Sequence, residues 1–199
     1  IKTCFYEDVL GFGSAYGLEF LPIINKIGRL TIIEPSDYLK SERIGKINPK
    51  YVKPEISGRI EFSDNSFNLI TCFSAMHHIC NVSFLIKELI RVLKPGGYLL
   101  LREPIVSMGD WRWPRKGLTK NERGIPVKYF EDVFKCQNIE IEAKTYCFTA
   151  PALFESTIGK FLSKPYYSYN LGAQFDRVLS FLLSFNVHYQ SNKSIHKFS

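Results

Sequence analysis

Short runs of Ile, Val, Leu and Phe alternate along the chain with longer stretches in which apolar residues return every three or four positions. Continuous apolar runs suit strands buried on both faces, and their interleaving with amphipathic stretches marks βαβ units and a parallel sheet. Strands are predicted over residues 8–12, 30–34, 67–73, 98–102 and 139–147, with a weaker one over 51–56. The best-defined helix carries Val82, Leu85, Ile86, Leu89 and Leu93 at helical spacing behind Asn81 as N-cap, and Lys94-Pro95-Gly96-Gly97 is read as its stop. A first helix over 18–27 has to take Pro22 into its first turns, and a short one is predicted over 127–135. Residues 171–185 align Phe175, Val178, Leu179, Leu182 and Phe185 in one stripe, read as core packing rather than as a membrane or acyl-chain surface. Between 105 and 126 the pattern dissolves into Gly, Pro, Trp and basic residues, an irregular length that compact domains seldom carry without a functional reason. It is read as a lid or substrate loop.

Composition narrows the class. The chain has 199 residues, 45% of them apolar and 23% charged, which excludes wholesale disorder and predicts a single globular domain. Its net charge of +7 favours anionic partners. The basic residues are spread from Lys2 to Lys197 and no nucleic-acid-binding fold is visible, so a stable nucleic-acid partner is not expected; charge alone does not choose among the other anions. Five cysteines without C-x-x-C spacing indicate neither a disulfide framework nor a zinc site, and no metal is expected. No apolar run approaches the roughly 20 residues of a membrane span, and no basic stretch leads into a hydrophobic one at the start. A cytoplasmic protein is expected; the oligomeric state is not readable.

Candidate chemistry begins at Gly11-Phe12-Gly13-Ser14-Ala15-Tyr16-Gly17, small residues between an apolar strand and a helical stretch. Such a turn lets the backbone approach a ligand and offers it helix N-terminal amides, though a purely structural turn has the same composition. Glu34, 21 residues after Gly13 at the end of the next strand and followed by Pro35, can accept from both hydroxyls of a ribose, or can be an ordinary strand-end carboxylate.

With these, Phe62-Ser63-Asp64-Asn65-Ser66-Phe67-Asn68-Leu69-Ile70, Ser74-Ala75-Met76-His77-His78-Ile79 and Leu89-Ile90-Arg91-Val92-Leu93-Lys94-Pro95-Gly96-Gly97-Tyr98-Leu99-Leu100 closely resemble the class I S-adenosylmethionine-dependent methyltransferases. The resemblance is strongest to their type 11 or UbiE-like small-molecule branch and covers about residues 8 to 104. It implies a Rossmann-like α/β/α doubly wound fold with a mostly parallel seven-stranded sheet, the last strand antiparallel. On that reading residues 1–199 form one methyltransferase domain: a cofactor-binding half (1–104), the 105–126 loop, and a substrate-side half (127–199) clipped, like the start, short of the family's extent.

S-adenosylmethionine is the implied cofactor, with Gly11, Gly13, Ser14, Ala15 and Gly17 at its methionine half, Glu34 and Pro35 at its ribose, and Ser74, Ala75 and Met76 near the sulfonium. The chain departs from the family pattern at Gly11, where an acid is usual, at Ala15 for a glycine and at Asn68 for an aspartate. Three side chains are candidates for catalysis: His77 and His78 past the fourth strand, as bases or as caps of the next helix, and Glu103 at the end of the fifth, as a base or a loop-stabilising acid. Residues 111–123 hold five basic residues and two tryptophans. Trp111, Arg112, Trp113 and Arg115 are the candidate contacts for an anionic, glycosyl or nucleotide-bearing acceptor, unless the loop is only a solvated lid.

Two other readings stay open. A degenerate, non-catalytic module would keep the fold and bind a partner. An NAD(P)-dependent reductase would share the glycine turn and Glu34, with Tyr189 and Lys193 as its short-chain pair.

Overall fold

The computed structural model describes residues 4–105, 110, 112–145 and 169–184. These fall into two compact units, one running to Pro104 and including the loop that ends at Ile125, the other continuing from Pro126.

The first unit is built on a parallel sheet of five strands: β1 (Tyr6–Phe12), β2 (Ile27–Ile33), β3 (Lys50–Val52), β4 (Phe67–Phe73) and β5 (Leu93–Arg102), in the order β3-β2-β1-β4-β5. The runs at 8–12, 67–73 and 98–102 lie on strands, and the 30–34 run does up to Ile33. Val9, Leu10, Leu69 and Ile70 have no exposed surface, as central parallel strands require. The order reverses between β1 and β4, and an open α/β sheet offers its ligand crevice at the carboxyl ends of strands at such a switch.

One core cluster packs Val9, Leu30, Ile32 and Leu69 against Phe20, Ile24, Ile44 and Ile47. Phe20 and Ile24 come from a 3-10 helix, Leu18–Lys26, where an α-helix was anticipated. Pro22 accounts for the difference: it has no N–H to donate and its ring crowds the carbonyl four residues back. Helix α1 (Val82–Val92) buries Val82, Leu85, Ile86, Leu89 and Val92, and the Asn81 side chain accepts from Phe84 N at 3.3 Å. Arg91 clasps Glu88 at 2.7 Å and donates to the carbonyls of Ile60 and Phe62, while Glu88 accepts from Ile60 N.

Lys94-Pro95-Gly96-Gly97 does more than stop that helix. It is already strand, and β5 shifts register there from Phe67 opposite Leu93 to Leu69 opposite Tyr98. A Cβ on Gly97 would meet the Asn68 carbonyl at 3.0 Å, so the irregularity needs glycine. Asn68 lies at the amino edge, where its Oδ1 accepts from Asp8 N at 3.1 Å and from Lys94 Nζ at 3.3 Å. It is five residues, about 16 Å of strand, from the carboxyl edge, so this departure does not touch the crevice.

The second unit contributes α2 (Val127–Cys136) and α3 (Asn170–Ser184). Two expectations are corrected here. The sheet has five strands among the described residues, all parallel, rather than seven with an antiparallel last one. Residues 139–145 are irregular: Glu140, Glu142 and Lys144 alternate with apolar neighbours, no strand among the described residues pairs with them, and Ile141 is 46% exposed. Residues 146–147 and 194–199 lie outside the described set. The stripe on α3 is not a buried core either, since Phe175, Val178 and Leu182 are all more than half exposed; Phe185 lies outside the described residues. Among the described residues no helix is long and apolar enough to cross a membrane.

Candidate active site at the carboxyl edge

The turns after β1 and β4 meet at the switch. Gly13 and Gly17 have φ of +65° and +66°, left-handed values that glycine takes without strain. A Cβ on Gly13 would lie 2.6 Å from that of Ala75, and one on Gly17 would strike Ile44 at 2.4 Å. Gly13 N donates to the Ile33 carbonyl at 2.9 Å and Gly17 N to that of Ser14 at 2.7 Å. Ala15 occupies the position of a third glycine and is itself left-handed, φ +45°. Gly11 lies inside β1, paired to Ile32 and Thr71, where a side chain would collide with Ser14 and Phe20; it serves the turn's packing rather than the crevice.

Glu34 ties the two strand ends together. Buried behind β2, it accepts from Ala15 N at 3.1 Å on one oxygen and from Ser36 N at 3.0 Å on the other. Each carboxylate oxygen has room for a second donor. Pro35 is exposed and its carbonyl accepts from Lys53 Nζ at 2.6 Å. Tyr51 was not anticipated: its hydroxyl donates to the Ala15 carbonyl at 2.9 Å and accepts from Ser41 N at 3.0 Å, bracing the strained turn from β3. An aromatic on a short, weakly patterned strand carries no sequence signal for that task. Ser14 Oγ is buried without a hydrogen-bond partner, an unmet polar atom beside the glycines.

Across the switch, Glu103 organises the β4 turn. One carboxylate oxygen accepts from Ala75 N at 3.0 Å and Met76 N at 2.9 Å, and the other lies 2.8 Å from His77 Nδ1 and 3.3 Å from His77 N. The Glu103 side chain is 1% exposed, so the carboxylate is a latch holding the turn and not an open base. Met76 is fully buried, Ser74 is left-handed at φ +56°, and its amide donates to the Arg102 carbonyl at 2.7 Å. Burial and the Glu103 charge push the Cys72 thiol well up, keeping it protonated.

The His77 and His78 rings lie tilted at 39° to each other with centres 4.1 Å apart, beside the 119–122 segment. His78 Nδ1 lies 2.9 Å from Thr119 Oγ1, and burial followed by the neighbouring His77 lowers its pKa, so it is neutral at pH 7. Arg123 fastens the loop by donating to the carbonyls of Ile79 and Cys80 at 2.7 and 2.9 Å.

The loop's other two arginines are committed internally. Arg112 forks onto Asp110 at 2.6 to 3.0 Å, and Arg115 donates to the carbonyls of Thr119, Lys120 and Glu122. Trp113 is 70% exposed; Trp111, like Tyr189 and Lys193, lies outside the described residues. A cleft of about 350 Å³ lined by Asp8, Arg29, Thr31, Lys50 and Phe67 opens at the opposite, amino edge and is unrelated to these groups.

A doubly wound parallel sheet with a glycine turn after β1 and an acid closing β2 defines the Rossmann-like class of nucleotide-cofactor domains. Within that class the comparisons are specific: residues 9–101 match the family described as Methyltransferase domain. The ubiquinone/menaquinone biosynthesis C-methyltransferase UbiE of Shewanella pealeana is 30% identical over 105 residues, 48% of this chain. The chain spans 41% of that relative's length. Among solved structures, an S-adenosylmethionine-dependent methyltransferase from Mesorhizobium loti superposes with a TM-score of 0.61 at 15% identity, over 83% of this chain and 89% of that one. The YcgJ protein from Bacillus subtilis gives 0.59 at 19% identity, over 81% and 74%. At these identities the two structures speak for the fold.

Proposed function

We propose that the chain is an S-adenosylmethionine-dependent methyltransferase acting on a small-molecule acceptor. One observation carries the reading: the Gly13 to Gly17 turn and Glu34 are joined at the switch point through Ala15 N and Glu34 Oε2. The residues present fit the cofactor. Glu34 keeps lone pairs for a ribose diol, Ser14 holds an unmet hydroxyl, and the left-handed glycines let backbone approach a ligand. Once bound, S-adenosylmethionine supplies a methyl group already activated on a sulfonium.

What remains for the protein is chiefly positioning, which by itself supplies a large part of the acceleration of a two-reactant step. The Glu103 latch sets the Ser74 to His78 turn, and that turn presents the histidines to the acceptor side. A hydroxyl acceptor needs its proton taken, and neutral His78 on the rim is the group that takes it. An anionic or glycosyl-bearing acceptor would find exposed Lys116, Lys120 and Trp113 on the loop, whereas Arg112 would first have to leave Asp110.

Titration calorimetry with S-adenosylmethionine and S-adenosylhomocysteine tests the reading. Binding of both, weakened roughly ten-fold or more by Glu34→Ala, is expected, that factor being about 1.4 kcal/mol. Binding of NAD(P) in their place would point to a reductase, and binding of none to a module without turnover; either result overturns the proposal.

A further inference from the structure

The histidine pair has a third neighbour that no sequence spacing announces. Glu122, 45 and 44 residues beyond His77 and His78, is folded over them by the loop. Its Oε1 lies 3.9 Å from His77 Nε2 and its Oε2 3.8 Å from His78 Nδ1, and all three ligand atoms lie within 4.8 Å of one another. We propose that His77 Nε2, His78 Nδ1 and the Glu122 carboxylate form a binding site for a divalent transition-metal ion, with Glu103 as its outer support.

Three features besides proximity point to a cation. First, two imidazoles and one carboxylate with an open fourth position are a ligand set of catalytic zinc sites. Second, a metal-binding histidine generally hands its other ring nitrogen to a carboxylate, which fixes the tautomer and raises the basicity of the ligating nitrogen. The His77 Nδ1 to Glu103 contact at 2.8 Å, made by a side chain 1% exposed, is that arrangement, and it turns the Nε2 lone pair toward Glu122. Third, Glu122 is held in place: Thr119 N and Thr119 Oγ1 donate to its Oε2 at 2.9 and 3.1 Å, which keeps the carboxylate beside the rings.

Tetrahedral ligands about 2.1 Å from a metal stand about 3.4 Å apart, so the three groups have to draw together by roughly an ångström. Rotation of the partly exposed His78 supplies most of that movement, with Glu122 shifting on its Thr119 tether and the buried His77 and Glu103 as the fixed wall. On loading, His78 passes its Nδ1 proton to Nε2 and exchanges Thr119 Oγ1 for the metal, so no net proton is lost. The metal-loaded His78 no longer serves as a base; an acceptor hydroxyl bound at the open fourth position would instead lose its proton more readily.

The test uses Co²⁺ added to the metal-free chain and followed by visible absorption and calorimetry, with Zn²⁺ as competitor. One saturable site with low-coordinate cobalt absorption and no thiolate charge-transfer band is expected. Affinity should fall ten-fold or more in both His78→Ala and Glu122→Gln, in the range seen for disturbed metal sites. Circular dichroism and S-adenosylmethionine binding are read on the same variants, so failure of the metal site and failure of the cofactor site are told apart. The absence of saturable binding, affinity equal to the parent's in both variants, or loss of binding in Cys80→Ser instead would each overturn the assignment.

Discussion

Replacing Glu103 by Gln changes one oxygen for an NH₂ and removes a single charge, yet the structure predicts a large effect. Oε1 serves Ala75 N and Met76 N, and Oε2 faces His77 N and Nδ1, all within 3.3 Å and nearly out of water. A glutamine can keep its carbonyl toward Ala75 and Met76. Its amide must then face two donors, so His77 has to switch tautomer to accept at Nδ1 and the His77 amide goes unpaired. Hydrogen bonds to charged groups are worth about 1.5–3 kcal/mol and neutral ones about 0.5–1.5, and an orphaned buried amide costs about 1–3 more. Against this stands the relief of not burying a carboxylate, so the net loss should be about 1–3 kcal/mol. For a chain of this size that is a drop in Tm of roughly 2–12 °C. Urea unfolding followed by circular dichroism measures the loss, and hydrogen exchange at Ala75 and Met76 should accelerate more than exchange in β1. A variant as stable as the parent, with unchanged exchange at those two amides, would refute the latch.

Three further outcomes follow from the same coordinates. Ala15→Gly relieves a left-handed alanine worth about 1–2 kcal/mol, less about 0.4–1 kcal/mol for the freer unfolded chain, so it should raise stability slightly, by up to about 1.5 kcal/mol in urea titration. Glu88 has its pKa lowered, mainly by hydrogen bonds from Arg91, so its contribution is complete above the unfolded value of about 4.3 and disappears as pH falls through the lower folded value. Urea midpoints measured from pH 6 to 3 should therefore fall less steeply in Glu88→Gln than in the parent. Arg115→Ala should loosen the 115–122 turn, seen as faster proteolysis of the loop, whereas an anion-binding role alone would raise the acceptor KM and leave proteolysis unchanged.

What was legible in the sequence and what was not divides along a physical line. The central strands were readable because a parallel strand buried on both faces must be apolar throughout, as Val9-Leu10 and Leu69-Ile70 are. The 139–147 run misled because alternating Ile and Glu describes a strand only if another strand is present to pair with it, and pairing is not a local property. The α3 stripe misled similarly: amphipathic periodicity says that a helix has an apolar face, not what covers it. Pro22 was noticed as a strain on the first turns, and its missing N–H and crowding ring are what favour 3-10 over α geometry there.

The site shows the same division more sharply. Gly13, Gly17 and Glu34 were readable as candidates because a tight turn and a strand-end acid leave a fixed spacing, and the structure joins that turn to Glu34 through Ala15 N. Glu103 and Arg115 were found as residues; the structure gives Glu103 the work of a loop-stabilising acid, the second of its two readings, and commits Arg115 to carbonyls of its own loop. A carboxylate at a strand end has the same sequence context whether it meets a substrate or four of the chain's own donors, and only the position of the Ser74 to His78 turn decides between them. Glu122 was not found at all. Its relation to the histidines depends on Arg123 and Arg115 binding backbone carbonyls, contacts that fold the loop but require nothing particular of the sequence between. The basic composition that suggested an anion site is therefore spent in large part on shaping the loop that brings a carboxylate to two imidazoles. That reverses the sign of the ligand the cluster fits: positive charge in the sequence builds a site for a cation.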